Sequence, residues 1–167
     1  MHRQEYPLAE EFLQKTSEIT QSLRKSLHEY SDLYFAGYTQ DAIREYGEAH
    51  ITYALLQNRD LPSPEQLGVE YNTYLNALAD VTGELRRRCL DLLRSGYSSE
   101  AERLLSWMDD IYLLLVTLDY PDAITNGARR QTDLVRGIVE RTRADLTISY
   151  REQQLEIALS KFNIPEG

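Results

Sequence analysis

Helical periodicity runs through almost the whole chain and leaves few folds open. Between Leu8 and Lys161 apolar residues recur three and four apart, the repeat that lines one face of an α-helix. The repeat breaks where glycine or proline gathers. A first helix is predicted over 8–34, apolar through Phe12, Ile19, Leu23 and Leu27, and Gly37 ends it. Thr39 is placed to N-cap a second helix that reaches Gln57. The stretch NRDLPSP, Asn58 to Pro64, reads as a loop: Pro62 and Pro64 remove backbone donors, and Ser63 can cap the next helix. A third helix is expected from Pro64 to Ser95, with a bend or restart near Gly68 and a stop at Gly96. Ser98 opens a fourth through Leu105, Met108, Ile111 and Leu115 to Leu118. Tyr120-Pro121-Asp122 and Asn126-Gly127 mark a connection. A last helix is predicted from Ala128 to Lys161, apolar at Leu134, Ile138, Val139 and Leu146, with a frayed tail over 162–167. With no strand pattern and no internal repeat, the expected fold is all-α, an antiparallel helical bundle forming one domain over 1–167. A chain of 167 residues is long enough to bury a core of that kind.

Several function classes fall away at once. No apolar run reaches the roughly 18 residues of a spanning helix, and MHRQEYPLAEEFLQ contains nothing resembling a signal peptide. The single Cys89 excludes an intrachain disulfide and any cysteine-based zinc site. A soluble, cytoplasmic protein without a membrane partner is the expectation. The net charge is −9, and lysine is confined to Lys15, Lys25 and Lys161. So acidic a chain has no overall basic footprint for nucleic acid. A nucleic acid would have to be held by a local arginine cluster or through metal-bridged carboxylates.

Two pairs of carboxylates stand out against the largely apolar segments that carry them. Glu45 and Glu48 are three apart, and Asp80 and Glu84 four apart, so each pair shares a helix face with its members about 5–6 Å apart. On the second helix Asp41, Glu45, Glu48 and Thr52 form a narrow acidic strip opposite Ile43, Tyr46, His50 and Ala54. On the third, Asn76, Asp80, Glu84, Arg87 and Asp91 lie opposite Tyr74, Leu78, Val81, Leu85 and Cys89. Gly83, inside that helix, is expected to admit a close backbone approach. Four such oxygens from neighbouring helices suit a hard divalent cation and phosphoryl-transfer chemistry. Spacing alone equally allows a solvated, salt-bridged face, with Glu84 paired to Arg87 or Arg88 and Arg44 paired to Glu48.

Other chemistry fits less well. A ferritin-like di-iron site needs Glu-x-x-His on two helices, and here Ile51 and Arg87 occupy the histidine positions. His2, His28 and His50 are scattered, and His50 reads as a packed side chain. No glycine-rich phosphate loop or nucleophile elbow is present. The twelve tyrosines can stack on bases, but at helical spacing they serve equally in a core or a subunit interface. Arg86-Arg87-Arg88 and the group Arg129, Arg130, Arg136, Arg141 and Arg143 are suited to phosphate contacts. Asp133/Arg136 and Glu140/Arg143 are also spaced to pair as surface ions.

The segments REYGEAHITYALL (Arg44 to Leu56), GVEYNTYLNALADVTGELRRRC (Gly68 to Cys89) and LDYPDAITNGARRQTD (Leu118 to Asp133) together resemble the translin family, and within it the translin-associated factor X (Trax) branch. LADVTGELRR with the upstream EYGEA is the most specific part, and the resemblance covers about Tyr34 to Leu146. It implies an all-α protein of a family that assembles octameric shells and binds single-stranded RNA and DNA. For the Trax branch it implies a metal-dependent endoribonuclease. Glu45 and Glu48 match the family's EYxE pattern, and Asp80 and Glu84 its DxxGE pattern, so the catalytic and metal-binding positions are all filled. Mg²⁺, with Mn²⁺ as the alternative, is the implied cofactor. Arg87, Arg88, Arg129 and Arg130 are the candidate nucleic-acid contacts. The implied partners are single-stranded or short structured RNA, single-stranded DNA, further copies of the chain and a homologous subunit. Family chains usually carry an additional helix ahead of the segment near Leu8. Two other readings stay open: an all-α Mg²⁺-dependent nucleotide pyrophosphohydrolase of the MazG type, and a translin-like shell that binds nucleic acid without cleaving it.

Overall fold

The computed structural model describes residues 6–118 and 128–161, with side chains in the second stretch from Arg130 onward. Of these residues 84% are helical and none is in a strand. The helices are α1 (Tyr6–Ser26), α2 (Ser31–Tyr34), α3 (Gly37–Leu56), α4 (Pro64–Leu67), α5 (Tyr71–Leu93), α6 (Ser99–Thr117) and α7 (Ala128–Ser160). The expected connection at 120–127 and the frayed tail at 162–167 lie outside the described residues. The chain groups into two compact units, Met1–Val81 and Thr82–Gly167, and the division falls within α5.

In the first unit α1 packs against α3, but only part of the apolar face its sequence advertises turns inward: Leu23 and Leu27 are half-buried. Phe12 and Ile19 are 56% and 67% exposed. The inward positions are Leu13, Ser17 and the buried Thr20. Ser17 Oγ lies 3.2 Å from His50 Nε2, and Tyr53 donates to Glu10 at 2.8 Å. The helix expected over 8–34 is divided by a turn that no glycine or proline marks, with Tyr30 N–H donating to the Leu27 carbonyl at 2.9 Å. Side chains from α3 bond carbonyls at the end of α2: Thr39 donates to the Leu33 carbonyl at 2.8 Å, which also accepts from Ala36 N–H, and Gln40 donates to the Tyr34 carbonyl at 2.9 Å. Thr39 is therefore a buried strut and not the N-cap of α3; Ala36, in extended backbone, holds that position.

Ser63 caps as expected. It forms a capping box with Gln66, with Pro64 in the first turn, and α4 stops after one turn at Gly68 in the left-handed conformation, φ 66°. The third predicted helix is thus α4 and α5, restarted between. The Tyr74 hydroxyl pins the loop through the Pro62 carbonyl at 2.6 Å, and Thr73 donates to Gln40 at 2.6 Å. The tight helix contact is at Gly47, where an added Cβ would stand 3.2 Å from the Ala77 Cβ. Gly83 does not play the part expected of it, since a Cβ there would meet nothing within 4 Å.

In the second unit Leu104, Met108 and Ile111 of α6 and Val135, Val139 and Leu146 of α7 are buried, each worth about 1.5–3 kcal/mol relative to exposure. Leu134, expected inside, is 58% exposed, and its neighbour Val135 takes the core position. Arg86 is a half-buried strut: its Nη1 reaches Asp145 at 2.9 Å and Thr142 Oγ1 at 3.0 Å. Cys89 is fully buried and donates to the Ala101 carbonyl at 3.6 Å, and burial lifts its thiol to about 11. Among the described residues no helix is long and apolar enough to cross a membrane.

Candidate metal centre and nucleic-acid interface

Within the first unit, Gly47 lets α3 approach α5 closely, and the acidic strip of α3 comes to Asp80. Arg44 reaches toward two carboxylates: its Nε is 3.4 Å from Asp80 Oδ2, and its Nη2 is 3.5 Å from Asp41 Oδ1. The Nε–H is buried and has no hydrogen-bond partner among the described residues, so the contact with Asp80 is ionic attraction without a formed hydrogen bond. Burial raises the Asp80 pKa above its ordinary value; Arg44 opposes the rise, while the charges of Asp41 and Glu45 add to it. Two carboxylates, Asp41 and Asp80, therefore share one guanidinium, with the Glu45 charge nearby. The arrangement has surplus negative charge around a half-buried carboxylate whose ionisation is already disfavoured.

The candidate residues differ in surroundings. Glu45 is exposed and Glu48, a turn further along α3, is half-buried. Glu84 belongs to the second unit, one turn beyond Asp80 on α5, and pairs with Arg87 at 2.5 Å. That pair is the surface bridge the spacing allowed, and with Arg87 73% exposed it contributes little to stability. Arg44, by contrast, goes to Asp80 and Asp41 instead of Glu48, and nothing in the sequence signalled Asp80 as its partner. Among the described residues no group of three or more His, Cys, Asp or Glu side chains is gathered closely enough to hold a metal ion. The donor chemistry nevertheless suits a hard cation, because every candidate ligand is a carboxylate and Arg44 neutralises only part of the charge.

Of the candidate phosphate contacts, Arg87 and Arg130 are exposed and Arg88 is half-buried; the Arg129 side chain lies outside the described residues. On α7 the expected ion pairs are re-sorted: Arg136 pairs with Glu140 at 3.1 Å, and Arg143 with Asp109 at 2.5 Å. His50 is packed as expected, its ring 4.5 Å from that of Tyr46 and its pKa lowered by burial.

No family model matches the chain. An uncharacterized protein of Methanocaldococcus jannaschii is 32% identical over 158 residues, which is 93% of this chain and 70% of that one. The crystal structure of AfC3PO, from an archaeon, superposes with a TM-score of 0.74 at 31% identity, covering 87% of this chain and 75% of that one. A structure of AfC3PO in complex with duplex RNA also gives 0.74, at 26% identity, over 90% of this chain and 94% of that one. The apo form of NeC3PO, from Nematostella, shares the fold, with a TM-score of 0.79 at 23% identity over 88% of this chain and 76% of that one.

Proposed function

The chain belongs to the translin/Trax family, that of the C3PO proteins, and from that premise we propose that it binds RNA and hydrolyses its phosphodiester backbone with the help of a divalent metal. Glu45, Glu48 and Asp80, with Glu84 a turn further along α5, would hold Mg²⁺ or Mn²⁺. The single observation that carries this reading is the half-buried Asp80, set near Asp41 and Glu45 with Arg44 as the cation in reach among the described residues. A bound divalent cation supplies a water of lowered pKa and neutralises charge on the transferring phosphoryl group.

The chain's own residues do the remaining work. Burial holds Asp80 in a state that gains from an incoming positive charge. Arg44 keeps Asp41 and Asp80 oriented until that charge arrives. Arg87, Arg88, Arg129 and Arg130 would seat the backbone phosphates, as guanidinium groups do through paired N–H donors. The duplex RNA held by AfC3PO supports trying duplex and single-stranded substrates side by side. Exposed apolar side chains on α6 and α7, among them Leu113, Leu134, Ile148 and Leu155, support assembly of several copies, in the octameric manner of the family.

The test is incubation with end-labelled RNA in Mg²⁺ and in EDTA, alongside Asp80→Ala. Cleavage that needs both metal and Asp80 is the expected result. Bound but intact RNA in Mg²⁺ would refute hydrolysis and leave a binding protein. Release of pyrophosphate from free nucleoside triphosphates, with RNA untouched, would move the chain to the nucleotide-hydrolase class.

A further inference from the structure

An open cavity lined by both apolar and polar side chains lies in the first unit, built from residues that the carboxylate site does not use. Its volume is about 470 Å³, and it lies along the end of α1, the α1–α2 turn and α2, with Glu70 in its wall. That volume falls in the roughly 300–1,000 Å³ range of small-ligand sites. Its walls divide by chemistry. Arg24, Lys25 and His28 supply cationic or cation-capable donors; Leu27 and Phe35 supply apolar surface; Glu70 supplies a carboxylate.

Three features show that the cavity is organised. Arg24 is held over the end of α4, where an added Cβ on Gly68 would stand only 2.2 Å from Arg24 Nη1. Gly68 is required by its left-handed backbone, and the Arg24 guanidinium lies against it. Phe35 is 63% exposed, yet its ring is braced edge-on by Tyr34 with centroids 5.0 Å apart. The Tyr34 hydroxyl donates to Glu70 Oε1 at 2.6 Å, while Glu70 Oε2 is buried with no hydrogen-bond partner among the described residues. Burial and the Glu70 carboxylate push Tyr34 up to about 12, so it stays protonated and keeps donating. Among the described residues neither Arg24 nor Lys25 is in an ion pair. The cavity therefore presents cations without carboxylate partners on one side and an unsatisfied acceptor on the other.

We propose that this cavity binds a nucleotide carrying a terminal phosphate, with the phosphate on Arg24, Lys25 and His28, the base against Phe35, and an N–H edge of the base donating to Glu70 Oε2. A buried acceptor without a partner is costly, and a base that donates to it removes that cost. Guanine fits best, because it presents adjacent N1–H and N2–H donors to a carboxylate edge. Three basic side chains favour the dianionic phosphomonoester over a backbone diester. The ligand is either a free 5′-mononucleotide or the 5′-phosphorylated end of an RNA strand.

Calorimetric titration in EDTA, which silences any metal at the carboxylates, tests the site apart from hydrolysis. The probes are GMP, guanosine, UMP, inorganic phosphate, and a short G-initiated RNA with and without its 5′-phosphate. The expected result is saturable binding of GMP, with guanosine and inorganic phosphate each at least about tenfold weaker. Glu70→Gln should erase the preference for GMP over UMP, whereas Arg24→Gln should weaken all 5′-phosphate ligands alike. Loss of folded structure would not divide the effects in this way, and Lys25→Gln, on an exposed side chain, repeats the phosphate arm should Arg24→Gln fail to fold. Binding of the 5′-phosphorylated RNA through the same residues, without GMP, would assign the site to strand ends. The proposal is overturned if neither GMP nor the 5′-phosphorylated RNA binds. It is equally overturned if inorganic phosphate competes as well as GMP, or if the variants bind as the parent does.

Discussion

Replacing Gly47 by valine should loosen the first unit and, with it, the carboxylate site. Gly47 is buried, and a Cβ there stands 3.2 Å from that of Ala77, itself 0% exposed. Alanine at 47 brings two opposing effects: about 1 kcal/mol of gained helix propensity, against a contact that Ala77 must relieve by moving a few tenths of an ångström. The two nearly cancel. Valine adds two further methyls on a surface already in contact, and overpacking of that kind costs about 1–3 kcal/mol. Less the propensity gained over glycine, Gly47→Val should destabilise by about 1–2 kcal/mol. Ala77→Gly alone should cost a similar amount, from lost burial and a helical glycine. Combined, the two changes should recover part of the loss, since the room removed at 77 accepts the valine, with a coupling of about 1 kcal/mol or more.

Urea denaturation of the four proteins at one fixed protein concentration gives the cycle directly. The same four proteins, assayed for Mg²⁺-dependent cleavage, should show activity falling with Gly47→Val and returning in the double variant. The α3–α5 approach sets where Glu45 and Glu48 lie relative to Asp80. Strict additivity of the stability changes would refute the packing argument. Recovered stability without recovered cleavage would refute the link from packing to site.

Other consequences are open to equally direct checks. Because Asp80 holds its proton more tightly in the folded than in the unfolded chain, its contribution to stability falls as pH rises from about the ordinary value of 3.8 through its raised folded value. In EDTA at neutral pH, Asp80→Asn should therefore melt at or above the parent temperature while losing any Mg²⁺-induced rise; a lower melting temperature together with a retained Mg²⁺ response would contradict both halves. His50 has the opposite sign: burial lowers its pKa, so stability is lost as pH falls below the ordinary value of 6.5. His50→Gln should flatten that acid limb in a melting series, and an unchanged slope would show that other groups set it. Gly83→Ala should stabilise by about 1 kcal/mol, since nothing lies within 4 Å of the added Cβ; if it instead breaks up the native assembly in light scattering, Gly83 faces a partner copy.

One physical distinction separates the legible parts of this molecule from the hidden ones. Local rules carried the helices and several of their ends. Ser63 with Gln66 and Pro64, the left-handed Gly68, and the stripe Leu105, Met108, Ile111 and Leu115 all depend on residues within a few positions of one another. Long-range choices were not legible. The packing face of α1 joins Leu13 to the polar Ser17 and Thr20, so the hydrophobic count also pointed to Phe12 and Ile19 on the other side. Thr39 has the chemistry of an N-cap, yet Leu33 offered its hydroxyl a better acceptor across the α2–α3 turn. The two glycines make the point most sharply. Gly83 sits inside the conspicuous Asp80/Glu84 motif and touches nothing, while Gly47, between Glu45 and Glu48, governs how closely two helices meet. A glycine's worth lies in what stands opposite, and Ala77 is thirty positions away in the chain. The same holds for Arg44: its spacing to Glu48 and Asp41 was visible, but only folding brings Asp80 within reach. That long-range contact draws Asp80 of α5 into the charge pattern of α3, which no local spacing could announce.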